Sequence, residues 1–507
     1  MTDKCTEIIS KIDSGRKVIA IALNPAKDLT AFYKGLLVFL KGAPNKGYQI
    51  IFLTIDSPRN GNEYLRKEGF DNIFECSPDE YSKLDFVDCF IVWDYCTYLW
   101  NFPKRSKIVT LRHFFDFSSP ADNVSIFGSR ADYSFLIRGN KEEYIKDSKD
   151  ISAAASIIFP FEMLKKNSCL IPGGYPEVDA LFNGYRRSEE VKCVTFCTTG
   201  VENNDRLMPG HGSEIIKHLL KSFPDYTVVF RPAPSDRGRE YVRSIEKTYG
   251  MFGNFQIDVG DLQETINRTR ALISDSTGLK EVFTIVTSVP YVHCDFSAKF
   301  KGIQKERLGY KIAGIDDVVP LVKQILIGEK LPREAIDLCQ ANLGRSGIYL
   351  LENISYILES KRHPEWFYYE NKRKDKREIN APEDYYPYIQ RFIADRPMRS
   401  LSLKIVDFAL QDFPDSAFLL GIKAKLHFYR GEFDIAQMYL SKANAISVFE
   451  TAKTINIQPR DIIDNKELLK QISILSSDLF RKGRWKSILK EAIHRLVKKL
   501  TMIRGIR

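Results

Sequence analysis

From Arg16 to about Gly328, short and almost wholly apolar runs alternate with longer stretches whose apolar residues recur at helical spacing. The runs at 16–23, 47–55, 86–93 and 107–111 read as strands, with helices over 29–40 and 64–69 between them. Because these runs are apolar throughout rather than alternating, they belong to a parallel sheet covered on both faces. The pattern restarts at Ser168–Ile171: further strands are expected at 191–196, 226–230, 255–258, 271–274 and 289–293, and helices at 212–222, 239–250, 262–269 and 317–328. Two successive Rossmann-like halves follow. Such a pair places a cleft between the halves and its ligands at the strand carboxyl ends.

Beyond Arg345 strand signals fade and helices dominate, with a charged, aromatic connector at 361–376. Ala409 and Ala443 lie 34 residues apart, and Pro414, Gly431, Ala436 and Leu440 hold other small and apolar positions of the same period. The spacing resembles one and a half tetratricopeptide repeats, in which small residues let paired helices approach closely; a plain helical subdomain fits it as well. The fold class is therefore α/β, two Rossmann-like domains followed by an α-helical, tetratricopeptide-like region. The divisions are 1–165 and 166–345 (the two Rossmann-like domains), 346–395 (helical connector), 396–450 (repeat-like helices) and 480–507 (basic amphipathic helix).

Charge changes the picture only at one end. Of the formal net charge of +10, nearly all lies in 481–507, where ten Lys and Arg face one acid, Glu491. From Trp485 to Ile503 the apolar residues fall on one helical stripe and the cations on the other, the pattern of a helix lying on an anionic membrane surface. A basic helix covering another domain shares that pattern. No aromatic-interleaved basic patch points to nucleic acid. Nine scattered cysteines without a C-x-x-C pair fit a reducing compartment and argue against a disulfide framework or a zinc site. No secretory signal and no run of 18 apolar residues occurs, so the expected place is cytoplasmic, peripheral on the inner face of the membrane.

Four loops carry candidate chemistry. Ala271–Ser274 stops at Asp275, Ser276, Thr277 and Gly278 and resumes as a helix with Glu281 in its first turn. A strand, loop and helix N-terminus offers amide donors and a positive dipole end to a phosphate, while Ser276 and Thr277 add hydroxyls and Glu281 accepts from a ribose. An ordinary connection capped by Asp275 or Ser276 has the same pattern. Thr198, Thr199 and Gly200 follow another strand. Arg231 and Arg237 flank a Pro-x-Pro turn suited to bidentate phosphate contact, or to structural ion pairs with Asp236 or Glu240. In the first half, His113 is the general-base candidate and Asp116 orients it or acts in its place. No Asp-x-Asp triplet calls for a metal, and no cofactor is implied.

Taken in order, Gly173 to Asp179, the Arg231–Pro234 turn and the Asp275–Gly278 loop resemble transferases of the CDP-glycerol glycerophosphotransferase type, whose Gly-x-Pro-x-x-Asp segment joins two halves. The Asp-Ser-x-Gly loop is also similar to those of UDP-sugar epimerases and other GT-B enzymes. The resemblance spans roughly 105–295. It implies a GT-B fold, with 1–165 on the acceptor side and 166–345 on the nucleotide-donor side, and a glycosyltransferase or glycerophosphotransferase-like enzyme of surface-polysaccharide, capsule or teichoic-acid synthesis, moving a sugar or polyol phosphate from a CMP-, CDP- or UDP-activated donor to a polysaccharide or lipid-linked acceptor. Ser276, Thr277, Gly278 and Glu281 would lie near the nucleotide, and His113 would be the base. Two positions depart from the family pattern: Ala233 stands where the turn usually has histidine, and Phe114 follows His113 in place of glycine. A nucleotide-sugar epimerase and a catalytically degenerate scaffold with helical repeats are the alternatives.

Overall fold

A computed structural model of the 507-residue chain describes residues 3–23, 28–57, 60–93, 96–112, 130–137, 165, 167–199, 211–275, 277–296, 302–370, 381–386, 389 and 399–447. Two units divide the chain at Lys374.

The first unit holds two sheets. β1 (Lys17–Ala22), β2 (Tyr48–Thr54), β3 (Ile73–Glu75), β4 (Cys89–Trp93), β5 (Lys107–Leu111), β6 (Tyr133–Phe135) and β7 (Asn167–Ile171) form a parallel sheet in the order β7-β6-β5-β4-β1-β2-β3. β8 (Cys193–Cys197), β9 (Thr227–Arg231), β10 (Phe255–Ile257), β11 (Thr269–Ser274), β12 (Tyr291–Cys294), β13 (Ile303–Lys305) and β14 (Gly309–Ile312) form the second, in the order β10-β9-β8-β11-β12-β14-β13. Only β13, at its edge, runs antiparallel. Central strands such as β4 and β8 are buried along their whole length, as sheets with helices on both faces require. The fold is thus a pair of doubly wound α/β domains of GT-B type. Cys76, Cys89, Cys96, Cys169, Cys193, Cys197, Cys294 and Cys339 are buried inside it and form no disulfide.

Two elements sit differently from expectation. β7 closes the first sheet rather than opening the second half, and β15 (Phe367–Glu370), within the segment read as a helical connector, adds antiparallel to β7. A chain that leaves one sheet and returns to it looks locally the same as one that starts a new sheet, so composition could not separate the two. β3 and β6 have three residues each, too few for a periodic signal.

The chain therefore crosses between the domains twice, through the Pro176–Gly184 helix and back through the Ser346–Leu358 helix. Asp179, 1% exposed, ties the crossings together: it accepts from Gly344 N–H at 2.8 Å, Ser346 N–H at 2.5 Å and Gln340 Nε2 at 2.9 Å. Gly174, at φ +85°, lets the backbone turn where an added Cβ would sit 2.4 Å from the Ala341 carbonyl oxygen. Burial pushes the Asp179 carboxyl up to about 6 from 3.8, against the pull of those hydrogen bonds. A carboxyl whose pKa rises on folding binds its proton more tightly when folded, so its stabilising contribution is complete below pH 4 and is lost as pH rises through 6. The stability of the wild type relative to Asp179→Asn is expected to fall by about 3 kcal/mol across that window in urea titrations. A flat difference would remove this account of the crossing.

The second unit, described by itself, contains helices Arg399–Asp412, Ala417–Tyr429 and Phe433–Ile446. Ser416 caps the middle one through Leu419 N–H at 3.2 Å. Among the described residues no helix is long and apolar enough to cross a membrane. The basic segment 481–507 lies outside the described residues.

Candidate functional site

In the second sheet β8 is followed outward by β9 and β10 on one side and by β11, β12 and β14 on the other. The direction of winding reverses between β8 and β11, and open α/β sheets bind ligands at the strand carboxyl ends of that switch point. Here those ends carry Thr198 and Thr199 on one side and Asp275 on the other.

Asp275 is 1% exposed and joins the two loops. Its carboxylate accepts from Thr199 N–H at 2.8 and 2.9 Å and from the Thr199 hydroxyl at 2.8 Å. It also accepts from Thr277 N–H at 3.1 Å, closing an Asx turn. Thr277 Oγ1 in turn accepts from Leu279 N–H at 3.3 Å, an i to i+2 turn just ahead of the Leu279–Thr287 helix. Thr277 therefore keeps its own hydroxyl proton for a ligand. Thr199 does not: its proton goes to Asp275, so it positions the loop rather than donating to a phosphate. Gly278, half-buried, is the helix N-cap. Gly200 and Ser276 lie outside the described residues, as do His113 and Asp116 of the first domain.

Glu281 is buried in the first helical turn and pairs with Lys280 at 2.8 Å. Lys280, 6% exposed, also reaches the Thr277 carbonyl at 3.4 Å and lies over the Tyr291 ring at 5.6 Å. Tyr291 donates to Glu306 at 2.8 Å, and His293 Nδ1 is 3.3 Å from the same carboxylate. Burial raises the Tyr291 phenol, and the charges of Glu281 and Glu306 raise it further. Burial alone would lift Glu306 too, but His293, Tyr291 and Lys280 bring it below its usual range. A cation buried at the positive end of a helix is stable only with anions beside it.

Arg231 turns away from the switch point. Its NH1 lies 3.2 Å from Asp258 Oδ2 and donates to Thr265 Oγ1 at 2.8 Å, and its NH2 donates to the Gly260 carbonyl at 3.1 Å. Of the two readings of this turn Arg231 follows the ion pair rather than the open phosphate contact, but with Asp258 in place of Asp236 or Glu240, and Arg268 shares that carboxylate at 3.1 Å. Burial acts to raise Asp258, but Thr265, the Gly260 amide and both arginines hold it low. Asp236, fully buried, accepts instead from Tyr241 at 2.6 Å and faces Arg239 at 3.0 Å. Arg237 is exposed on the same turn.

The structure thus brings Thr199, Thr277, Gly278 and Glu281 to one switch point and sends the Arg231 guanidinium to β10. Lys280 was missed from sequence although it sits beside Glu281. A lysine in a first helical turn runs against the dipole, and that was the available signal. Among the described residues no group of three His, Cys, Asp or Glu could hold a metal ion.

The site and topology define a two-domain, doubly wound α/β protein of GT-B type. No family model matches the chain, and no curated protein matches it. Among solved structures it is similar to a putative UDP-N-acetylglucosamine 2-epimerase from Listeria monocytogenes, at 13% identity and TM-score 0.48, over 69% of this chain and 98% of that one. It is also similar to the wall teichoic acid polymerase TagF, at 14% identity and TM-score 0.45 over 71% and 94%. A third is the UDP-GlcNAc 2-epimerase from Methanocaldococcus jannaschii, solved with UDP-GlcNAc and UDP, at 11% identity and TM-score 0.45 over 67% and 99%.

Proposed function

We propose that this protein is a transferase that moves a sugar or polyol-phosphate group from a nucleotide-activated donor onto a growing bacterial surface polysaccharide. The observation that carries the reading is the Asp275 junction at the switch point, which fixes the Thr277 hydroxyl and the amino end of the Leu279–Thr287 helix where an anionic leaving group would develop charge. In this scheme His113, with Asp116, removes the proton of an acceptor hydroxyl, whose oxygen attacks the donor. The bond from the transferred group to the nucleotide's phosphate oxygen breaks, and the nucleoside mono- or diphosphate leaves with that electron pair, met by Ser276, Thr277, Gly278 and Lys280. Glu281 faces the ribose, and Arg237 extends the cationic side. The repeat-like helices dock the acceptor machinery, and 481–507 holds the protein on the inner membrane face.

Thermal-shift screening of CMP, CDP, UDP and their sugar and polyol conjugates tests the reading. A response to one nucleotide family is expected, and His113→Ala should abolish transfer with that response intact. Absence of any nucleotide response would favour the scaffold, a reading that Ala233 in the histidine position supports.

A further inference from the structure

The hairpin at the edge of the second sheet reaches back toward the switch point. β13, exposed at all three residues, folds antiparallel onto β14, and the turn between them closes with Glu306 N–H donating to the Gly309 carbonyl at 2.8 Å. β14 in turn pairs with β12, Gly309 opposite Tyr291 and Lys311 opposite His293. On its other side β12 sets His293 opposite Ser274, the residue before Asp275. Paired residues of a parallel ladder share a face, and so do Tyr291 and His293, two apart on one strand.

Tyr291, buried, is held from three sides. A Cβ added to Gly309 would sit 2.5 Å from the Tyr291 carbonyl oxygen and 2.7 Å from its ring, so the absent side chain lets the hairpin close against both. The Tyr291 hydroxyl donates to Glu306 at 2.8 Å, and Lys280 Nζ lies over the ring, 5.6 Å from its centre. His293 Nδ1, 3.3 and 3.4 Å from the two Glu306 oxygens, keeps that carboxylate from swinging out. Lys311 is paired elsewhere, with Asp295 at 2.8 Å, and Arg307, the next residue of the turn, is exposed. The Lys280 ammonium also pairs with Glu281 at 2.8 Å and reaches the Thr277 carbonyl at 3.4 Å. Contacts therefore run without a gap from Glu306 through Tyr291 and Lys280 to Thr277, whose amide Asp275 holds.

We infer that Glu306 and Tyr291 are positioning residues of the switch point: the hairpin carboxylate fixes the Tyr291 ring, and the ring fixes the Lys280 ammonium at the phosphate loop. This rests on the transferase reading, in which Lys280 meets the leaving phosphate. A lysine ammonium on its four-carbon stem is a mobile point charge, and contacts from several directions give it one place. The ring supplies the face that a cation favours, and a phenol that donates to a carboxylate is polarised so that its face is more negative. Charge alone argues the other way. An anion near a phosphate seat opposes phosphate binding, so a bare charge and a positioning role predict opposite signs when Glu306 is neutralised.

The test is calorimetric titration of the full chain with CDP and with UDP, beside thermal unfolding of each variant. Glu306→Gln and Tyr291→Phe are each expected to weaken binding of the nucleotide that wild type takes by about five- to tenfold. The double variant should be no weaker than either single change, because both cut the same link. In a Lys280→Met background Glu306→Gln should change affinity by about twofold or less. A Glu306 that only locks the hairpin would lower the unfolding temperature and leave affinity unchanged. One that acts only as a charge would tighten binding when neutralised, and either result overturns the inference. If wild type binds neither CDP nor UDP, the transferase reading fails and the inference with it; if wild type binds and the variants titrate like it, the inference alone fails.

Discussion

Asp275→Ala is expected to lower transfer on the order of a hundredfold or more, and to cancel the thermal response to nucleotide. The carboxylate is the single acceptor that holds Thr199 N–H, the Thr199 hydroxyl and Thr277 N–H together across the switch point. Alanine strands these donors in a buried place, at about 3 kcal/mol. More important for function, the loops after β8 and β11 lose their common anchor, and the Thr277 hydroxyl and the helix end drift from the leaving phosphate. A displacement near 1 Å is enough for the rate loss. Asp275→Asn separates geometry from charge: its oxygen still accepts from Thr277, but its amide opposes Thr199 N–H, so an intermediate rate is expected. Single-turnover transfer and nucleotide titration of both variants check this, and wild-type turnover in Asp275→Ala would remove the junction from the mechanism.

This junction was legible in sequence because it is local. An apolar run, a small polar turn and a helix with its acid in the first turn are all contained between Ala271 and Glu281, and the buried strands on which two Rossmann-like halves rest were visible for the same reason. Arg231 was legible as a cation at a strand end but not as the partner of Asp258, which lies beyond a helix and a strand with no pattern linking them. The same limit hid Glu306 under Tyr291 and His293. Local signals specify elements; they do not specify which sheet takes an element. That is why β7 was read with the second half, whereas β15 lay in a charged stretch read as a helical connector.

The crossing between those domains also depends on a residue without side-chain chemistry. Gly35→Ala is expected to destabilise the first unit by about 3–5 kcal/mol. The Thr30–Gly42 helix buries Phe32, Tyr33, Leu36, Phe39 and Leu40, and at Gly35 it meets both crossing segments. A Cβ there would stand 1.8 Å from the Pro176 carbonyl oxygen, and the Gly35 carbonyl itself lies 2.6 Å from where a Cβ on Gly347 would sit. The obstacle on each side is backbone, so no rotamer change relieves it, and one of the three helices must move. Gly15→Ala is the control: its Cβ would find only Asp13 Oδ1, at 3.6 Å, with no positive φ to strain, and should be near neutral. Urea titrations of the two variants decide the matter. A Gly35→Ala loss no larger than that of Gly15→Ala would mean that the crossing helices do not pack through their backbones. A large loss together with slower transfer would tie that close contact to the alignment of the two domains.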